Sequence, residues 1–270
     1  MKALVIPTLI CAVLAGASAA EEIEPARLTD LPRADIVILG EVHDNAVHHA
    51  NQARAIAALR PVALVWEMLT EAQAHAMPDD RSDAAVVAQA LGWEGTGWPD
   101  FALYHPLILA APQARHLGAA VPRAEARRAF AEGAAGVFGA QAEQFDLTRA
   151  LPAVEQAARE AEQYEAHCQA LPLDMMQGMV EAQRLRDAAL ARSALEALRD
   201  TGGPVVIITG NGHARSDWGV PSVLARAAPG ATVLSVGQIE AGTGQEGPQP
   251  WDLWLVTDPQ PRPDPCEAFR

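Results

Sequence analysis

Two four-residue motifs in this chain carry the residue types of an acid, a base or a metal ligand. GEVH spans residues 40–43 and GNGH spans residues 210–213, and both have the spacing G-x-x-H directly after an apolar run. A glycine there lets the chain turn sharply, and the histidine three positions later can point back over the strand end. Glu67 follows another apolar run, VALVW, and adds a second carboxylate to Glu41 of the first motif. Two imidazoles and two carboxylates would suit a divalent metal or an acid/base pair. The candidate catalytic and metal-binding residues are Glu41, His43, Glu67 and His213.

A structural role for the same histidines is a competing interpretation. Imidazoles at strand ends can hydrogen-bond loop backbone and hold the shape of a crevice without doing chemistry. His48 and His49 follow the first motif inside a helical segment, which predicts that one of them approaches the strand ends while the other faces solvent. The residue types alone leave both interpretations open.

The elements that must position these residues indicate an α/β fold. Short apolar runs recur, and most are continuous rather than alternating, as is typical of strands covered on both faces of a largely parallel sheet. A helical segment over residues 45–60 has the length of a crossover. Ligands in such folds bind beyond the carboxyl ends of the strands, where both motifs lie. The predicted strands span residues 36–39, 62–66, 119–121, 205–209, 232–236 and 253–256.

The composition changes over residues of about 124–200. Alanine, glutamate, glutamine and arginine dominate this part, and strand-forming residues are few. We interpret it as an inserted helical subdomain between the third and fourth strands. The sequence therefore predicts one α/β domain over residues 21–270, with a largely parallel central sheet flanked by helices and a helical insertion.

The first twenty residues have the pattern of an export signal. Lys2, an apolar stretch and small residues up to Ala20 predict a signal peptide over residues 1–20, and hence a periplasmic protein. The residues before Cys11 do not fit a lipobox, so lipoprotein attachment is not supported. After cleavage Cys168 and Cys266 remain, and an oxidising compartment permits a disulfide, although the sequence does not show whether they pair.

Charge and missing motifs argue against several functional classes. The formal net charge is -14, without a basic patch, which disfavours nucleic-acid binding. H-E-x-x-H and G-x-S-x-G are absent, so neither a zincin nor a standard α/β-hydrolase is supported. No G-x-G-x-x-G follows a strand, and no P-loop is present.

A series of longer segments resembles one bacterial protein family. ILGEVHDNAVHH resembles the opening motif of the ChaN-like haem-binding uptake proteins, within the superfamily that also contains the Tiki and TraB proteins. The similarity covers nearly the whole chain after the signal peptide, in the expected order. It continues through VWEM, GWPDFALYHPLILAA, VPRAEARR, EAHCQALPLDMMQGMVEAQRLRDAALARSAL and VVIITGNGHARSDWGVP.

The resemblance implies haem binding, for haem and iron uptake at the cell envelope. Family members are similar in holding haem between subunits with tyrosine as iron ligand, which implies a homodimer around haem and an outer-membrane haem receptor as a partner. A tyrosinate oxygen is a hard anionic ligand suited to ferric iron. Tyr104 is the first candidate and Tyr164 the second, with His105 and Arg123 as further cofactor-binding residues. The alternative for Tyr104 is a core tyrosine with its hydroxyl satisfied by backbone.

The same superfamily supplies a rival function. Tiki proteins are similar in having both G-x-x-H motifs and glutamates, and they are regarded as metal-dependent proteases. That resemblance implies a divalent metal on His43 and His213, with Glu41 or Glu67 as a further ligand or as the general base that activates water. Between the two, a haem-binding protein is favoured over an enzyme, and a metal site beside a haem site is compatible with both.

Overall fold

The computed structural model describes residues 20–243, 247–264 and 266–267. Nearly all of the predicted signal peptide, residues 1–19, therefore lies outside the described residues. Within them, seven strands form one sheet in which every pairing is parallel, in the order β1-β7-β6-β2-β5-β3-β4. The strands are β1 (Glu21–Glu22), β2 (Ile36–Glu41), β3 (Ala63–Trp66), β4 (Arg115–Gly118), β5 (Val205–Gly210), β6 (Val233–Glu240) and β7 (Leu253–Thr257).

Helices cover both faces of the sheet, which confirms the predicted α/β fold. Among the described helices, none has the length and apolar character needed to span a bilayer. The helices are α1 (Ala46–Leu59), α2 (Glu71–His75), α3 (Ala84–Ala90), α4 (Phe101–Ala110), α5 (Arg123–Glu132), α6 (Ala134–Phe138), α7 (Ala153–Ala166), α8 (Met176–Thr201), α9 (Asn211–Ala214) and α10 (Val220–Ala227).

Alternating side chains of the strands feed two separate cores. Val37 and Leu39 of β2 pack with α1 and α4 on one face, and Ile36 and Ile38 pack with α8 and α10 on the other. Each face is apolar because a parallel strand is covered on both sides, which explains the continuous apolar runs. The rigid frame that results fixes the carboxyl ends of β2, β3 and β5.

The helices of the predicted insertion pack on one another and on the sheet. Helices α5, α6 and α7 pack on α8. The second half of α8 itself lies on β3 and β5, through small buried residues such as Ala188 and Ala194. Helix α8 therefore serves as the crossover into β5, and its small side chains let it lie close to the sheet.

One predicted strand was wrong. The prediction over residues 119–121 is displaced, since the strand is Arg115–Gly118, paired in register with Ala63–Trp66. Because β4 is an edge strand and only partly buried, it carries Arg115 and His116, so its sequence lacks the apolar run that marks the inner strands. The apolar residues that follow it form the connection to α5.

Candidate functional site

The carboxyl ends of β2, β3 and β5 lie side by side at one edge of the sheet. The register pairs Glu41 with Gly210 and Trp66 with Ile208, so the two G-x-x-H motifs and Glu67 meet at the same level. The structure thus brings together Glu41, His43, Glu67 and His213, the four candidate residues that the sequence indicated.

Glu67 lies at the centre of this group. Its Oε2 accepts hydrogen bonds from Thr209 Oγ1 at 2.6 Å and from the Gly210 backbone N–H at 2.8 Å. Burial alone would raise the pKa of Glu67, but the positive charges of His213 and His43 and these two bonds outweigh it and lower the pKa to about 2. Glu67 is therefore a carboxylate at neutral pH, with Oε1 free of those two donors.

His43 faces Glu67 from the first motif. Its Nε2 is 4.0 Å from Glu67 Oε1, and its Nδ1 lies 2.8 Å from Glu41 Oε1. Burial would lower the pKa of His43, yet the bond to Glu41 and the negative charges of Glu67 and Glu41 raise it to about 9. The ring of Trp98 lies against His43, with centroids 4.8 Å apart.

His213 faces Glu67 from the second motif in a matching way. Its Nε2 is 3.7 Å from Glu67 Oε1, and its Nδ1 lies 2.7 Å from Asp187 Oδ1. Burial would lower the pKa of His213, but the charges of Glu67 and Asp187 raise it. Each histidine thus has a carboxylate behind Nδ1 that orients the ring and directs Nε2 towards Glu67.

Asp187 is a site residue that sequence reasoning missed. It lies on α8, far from both motifs in sequence, and is 4 % exposed. Its apolar neighbours Leu185 and Ala188 also face the sheet. An acidic residue on the buried side of an otherwise apolar helix face was the available signal, since such groups are buried only with a partner.

The glycines of the motifs serve close packing. A Cβ at Gly210 would lie 2.9 Å from His43 Nε2, and one at Gly40 would lie 2.5 Å from Asn211 Oδ1. Gly210 itself has an ordinary extended backbone, with φ of -63°. The expected sharp turn is therefore not the reason for glycine at position 210, where the imidazole of the other motif needs the space.

Glu41 contacts two buried side chains, those of Tyr104 and His49. Tyr104 donates to Glu41 Oε1 at 3.1 Å, and His49 Nε2 donates to the His43 carbonyl at 2.9 Å. Glu41 Oε2 and His49 Nδ1 face each other at 3.4 Å without a hydrogen bond. Glu41, the last residue of β2, therefore orients His43 through its bond to Nδ1.

The prediction that one of His48 and His49 approaches the strand ends while the other faces solvent was wrong. Both are buried, because α1 packs its histidine face on the sheet and on α4. His48 Nδ1 accepts the Val42 backbone N–H at 2.9 Å, and its Nε2 donates to Thr257 Oγ1 at 2.8 Å. His48 thereby holds the turn that carries the first motif.

Tyr104 and His105 are buried side chains of α4. Tyr104 is fully buried, and burial together with the charge of Glu41 raises its pKa, so the hydroxyl stays protonated. His105 Nε2 lies 2.8 Å from the Arg81 carbonyl. An iron ligand role for Tyr104 would require the ring to leave this position and give up its bond to Glu41.

Tyr164 and Arg123 occupy accessible positions instead. Tyr164 is half-buried on α7, next to Gln163, and Arg123 is exposed at the start of α5. Arg123, Gln163 and His167 line the same cavity as the paired histidines.

We call this cavity the crevice. Its volume is about 900 Å³, within the usual range of ligand sites. In the described part of the chain, no group of three or more His, Cys, Asp or Glu side chains stands ready to hold a metal ion. The residues that line it and matter below are His43, Glu67, Trp98, Arg123, Gln163, His167, Met179, Arg186 and His213.

Comparison with known proteins decides the family. The model of the family described as "Haem-binding uptake, Tiki superfamily, ChaN" matches residues 27–224. The chain belongs to this ChaN-type family. Membership confirms the resemblance seen in the motifs.

One solved structure agrees at the level of the fold. A ChaN-type structure described as "Cofacial heme binding to ChaN of Campylobacter jejuni" superposes with a TM-score of 0.64 at 17% identity, covering 84% of this chain and 89% of that one. The type III effector HopBA1 gives a TM-score of 0.49 at 12% identity, over 87% and 92% of the two chains. No curated protein matches the sequence.

Proposed function

We propose that this protein is an exported haem-binding protein that serves haem and iron uptake at the cell envelope. The observation that carries the proposal is its membership of the ChaN-type family over residues 27–224. The similar structure from Campylobacter jejuni is described as binding haem cofacially, which favours a homodimer around haem. A periplasmic location follows from the signal peptide pattern, and an outer-membrane haem receptor is the partner such a role would use.

The residues around the crevice suit haem. Arg123 and Arg186 offer two guanidinium groups for the propionate carboxylates, and Trp98 and Met179 offer an aromatic and a thioether surface for the macrocycle. Tyr164 lies on α7 less than one turn before His167, a crevice residue. Since Tyr104 is enclosed, we assign the iron ligand to Tyr164, whose phenolate oxygen would suit ferric iron.

Haemin titration of the mature protein tests this function. We expect a saturable Soret shift in the wild type and an altered spectrum in Tyr164→Phe, because the phenolate is lost. Tyr104→Phe should keep the wild-type spectrum. Absence of a Soret shift would refute haem binding, and a spectrum changed by Tyr104→Phe alone would return the ligand role to Tyr104.

Arg123→Gln tests the proposed propionate contact separately. We expect haemin affinity to fall several-fold, the scale of a partly exposed ion pair. Arg127→Gln is the matched control, since Arg127 is exposed on the same helix and does not line the crevice. Equal affinities of the two variants would exclude Arg123 from the haem site.

A second candidate function, metal-dependent hydrolysis, is favoured by the convergence of His43 Nε2 and His213 Nε2 on Glu67 Oε1. Two imidazoles and a carboxylate, with Glu41 and Asp187 behind the imidazoles, are a donor set for a divalent ion. Such an ion would supply an activated water. The side chains would have to close around it, since they do not stand ready to hold one.

Metal analysis of protein purified without chelators tests this candidate. Stoichiometric zinc or manganese that is lost in His43→Ala and in His213→Ala, together with peptidase activity that is lost in both, would support it. Substoichiometric metal and variants that behave as the wild type would remove it.

A further inference from the structure

The chain beyond β7 runs across the turn that carries the first motif. Arg262 donates to both carboxylate oxygens of Asp44, at 2.8 and 2.8 Å, and to both of Glu240, at 2.6 and 2.7 Å. The Gln260 backbone N–H donates to Glu240 Oε1 at 3.3 Å. Asp44 directly follows His43, so this anchor lies next in sequence to a residue that lines the crevice.

The same segment is anchored a second time at the end of α7. Cys266 forms a disulfide with Cys168. Cys168 directly follows His167, a crevice residue at the end of α7, and Gln163 of α7 also lines the crevice. The question that the sequence left open is thereby answered, since the two cysteines pair.

The distance between the anchors is short. Cys266 lies four positions after Arg262, and a fully extended chain over four residue steps spans about 14 Å at most. The turn after β2 and the end of α7 are therefore held within the reach of one short segment and one arginine side chain. We call this segment, defined by Arg262 and Cys266, the strap.

The protein residues to which the strap is attached are held in fixed positions. Glu240 is 3 % exposed, and its hydrogen bonds with Arg262 and Asn45 outweigh burial and lower its pKa to about 2. At the other end, Cys168 and Gln169 have φ of 58° and 56°, a left-handed backbone that non-glycine residues keep only where neighbouring structure imposes it. Both anchor residues of the strap lie beyond the part of the chain that the family model matches.

We propose that the strap fixes the α7 wall of the crevice, and that reduction of Cys168–Cys266 by a dithiol loosens this wall and speeds ligand release. The dithiol gives two electrons and two protons to the disulfide, so that two cysteine thiols form and the dithiol becomes a disulfide. Because the ligand is haem, this inference rests on the proposed function. The strap itself stands on the contacts of Arg262 and Cys266.

Haemin release kinetics test the strap. The variants are Cys168→Ser/Cys266→Ser, Arg262→Gln and their combination, with Arg226→Gln as control, since Arg226 is exposed and pairs only with Asp146 among its described contacts. We expect transfer of haemin to an excess scavenger to accelerate about tenfold when either anchor is lost, and treatment with a dithiol to do the same in the wild type. Losing the second anchor should add little, because a strap tied at one end no longer joins the walls. Unchanged rates, or additive effects of the two anchors, would overturn the proposal.

A measurement without haemin separates the strap from the proposed function. At labelling times too short for global unfolding, amide exchange of α7 should rise in Arg262→Gln and in the cysteine variant, while that of β2 stays as in the wild type. Unchanged exchange in α7 would refute the strap, whether or not haemin binds. If haemin fails to bind the oxidised wild type, the proposed function fails, and the exchange of α7 alone decides about the strap.

Discussion

At the scale of single residues, His48 shows how the fold sets a protonation state. Its Nδ1 accepts a backbone N–H and its Nε2 donates to Thr257, so only the neutral ring satisfies both contacts. Burial is the main cause that lowers the pKa of His48 to about 4. Between this pKa and the ordinary pKa of about 6.5, the unfolded state therefore binds a proton on His48, while the folded state keeps the ring neutral.

This difference predicts acid sensitivity that depends on His48. A depressed histidine pKa contributes stability above the unfolded value of about 6.5, and this contribution is lost as pH falls from there towards about 4. Between pH 7 and pH 5 we expect His48 to account for about 2 kcal/mol of lost unfolding free energy. Urea unfolding of the wild type and of His48→Gln at both pH values measures it.

The control is the same pair of proteins compared at pH 7 and pH 8. The ring is mostly neutral in both states there, so the difference between the wild type and His48→Gln should change by only about 0.1–0.2 kcal/mol. A variant that loses as much stability as the wild type between pH 7 and pH 5 would contradict the assignment.

The sequence predicted that the two G-x-x-H motifs meet, but it did not predict which residues hold their histidines in place. Strand ends of a parallel sheet meet at one edge, so His43, His213 and Glu67 could be placed together from the sequence. Asp187 and His49 reach the site from helices, and which side of a helix is buried depends on packing that a single sequence does not specify. For the same reason Tyr104 gave no sign in the motif that its ring lies inside.

At the scale of elements, the crossing of α5 and α8 depends on Gly178. A Cβ at this position would lie 2.7 Å from the Phe130 carbonyl oxygen and 2.7 Å from its ring. Glycine inside a helix costs about 1 kcal/mol relative to alanine, so its presence in α8 is explained by the close approach.

We therefore expect Gly178→Ala to destabilise the protein by about 1–2 kcal/mol, because the strain of a misplaced methyl exceeds the gain in helix propensity. Gly136→Ala in α6 is the matched control, since nothing lies within 4 Å of the added Cβ, and it should be neutral or slightly stabilising. Thermal unfolding of both variants measures the contrast. A stabilised Gly178→Ala would show that the helices separate at little cost.

The strands that the sequence predicted poorly are the two edge strands. β2, β3 and β5 are recognisable in the sequence as continuous apolar runs, while β4 and β1 lie at the two edges and carry polar residues. An edge strand carries polar residues that prevent pairing with a further strand, and it contributes less to the core than an inner strand does. Hydrophobic patterning therefore identifies edge strands poorly.

At the scale of the whole molecule, Cys168–Cys266 closes a loop with a sequence separation of 98 residues. A cross-link of that length restricts the unfolded chain, and the chain-entropy account gives a stabilisation of about 4–5 kcal/mol. We expect Cys168→Ser/Cys266→Ser to unfold at clearly lower urea concentration than the wild type, measured without reductant. Reductant should shift the wild type to the same midpoint and leave the variant unchanged. Coincident midpoints without reductant would mean that the loop adds no stability.

The order of the strands also sets how fast this molecule can form. The central strand β2 lies between β5 and β6, and bonds beside it join residues 197 positions apart, from Asp35 to Thr232. β1, at the start of the described chain, pairs with β7 near its end. Because the central strand β2 and the edge strand β1 both pair with strands far away in sequence, the chain has a high contact order. We therefore expect it to refold slowly for its size. Because the first described strand pairs with the last one, the sheet can be completed only after nearly all of the described chain has been made.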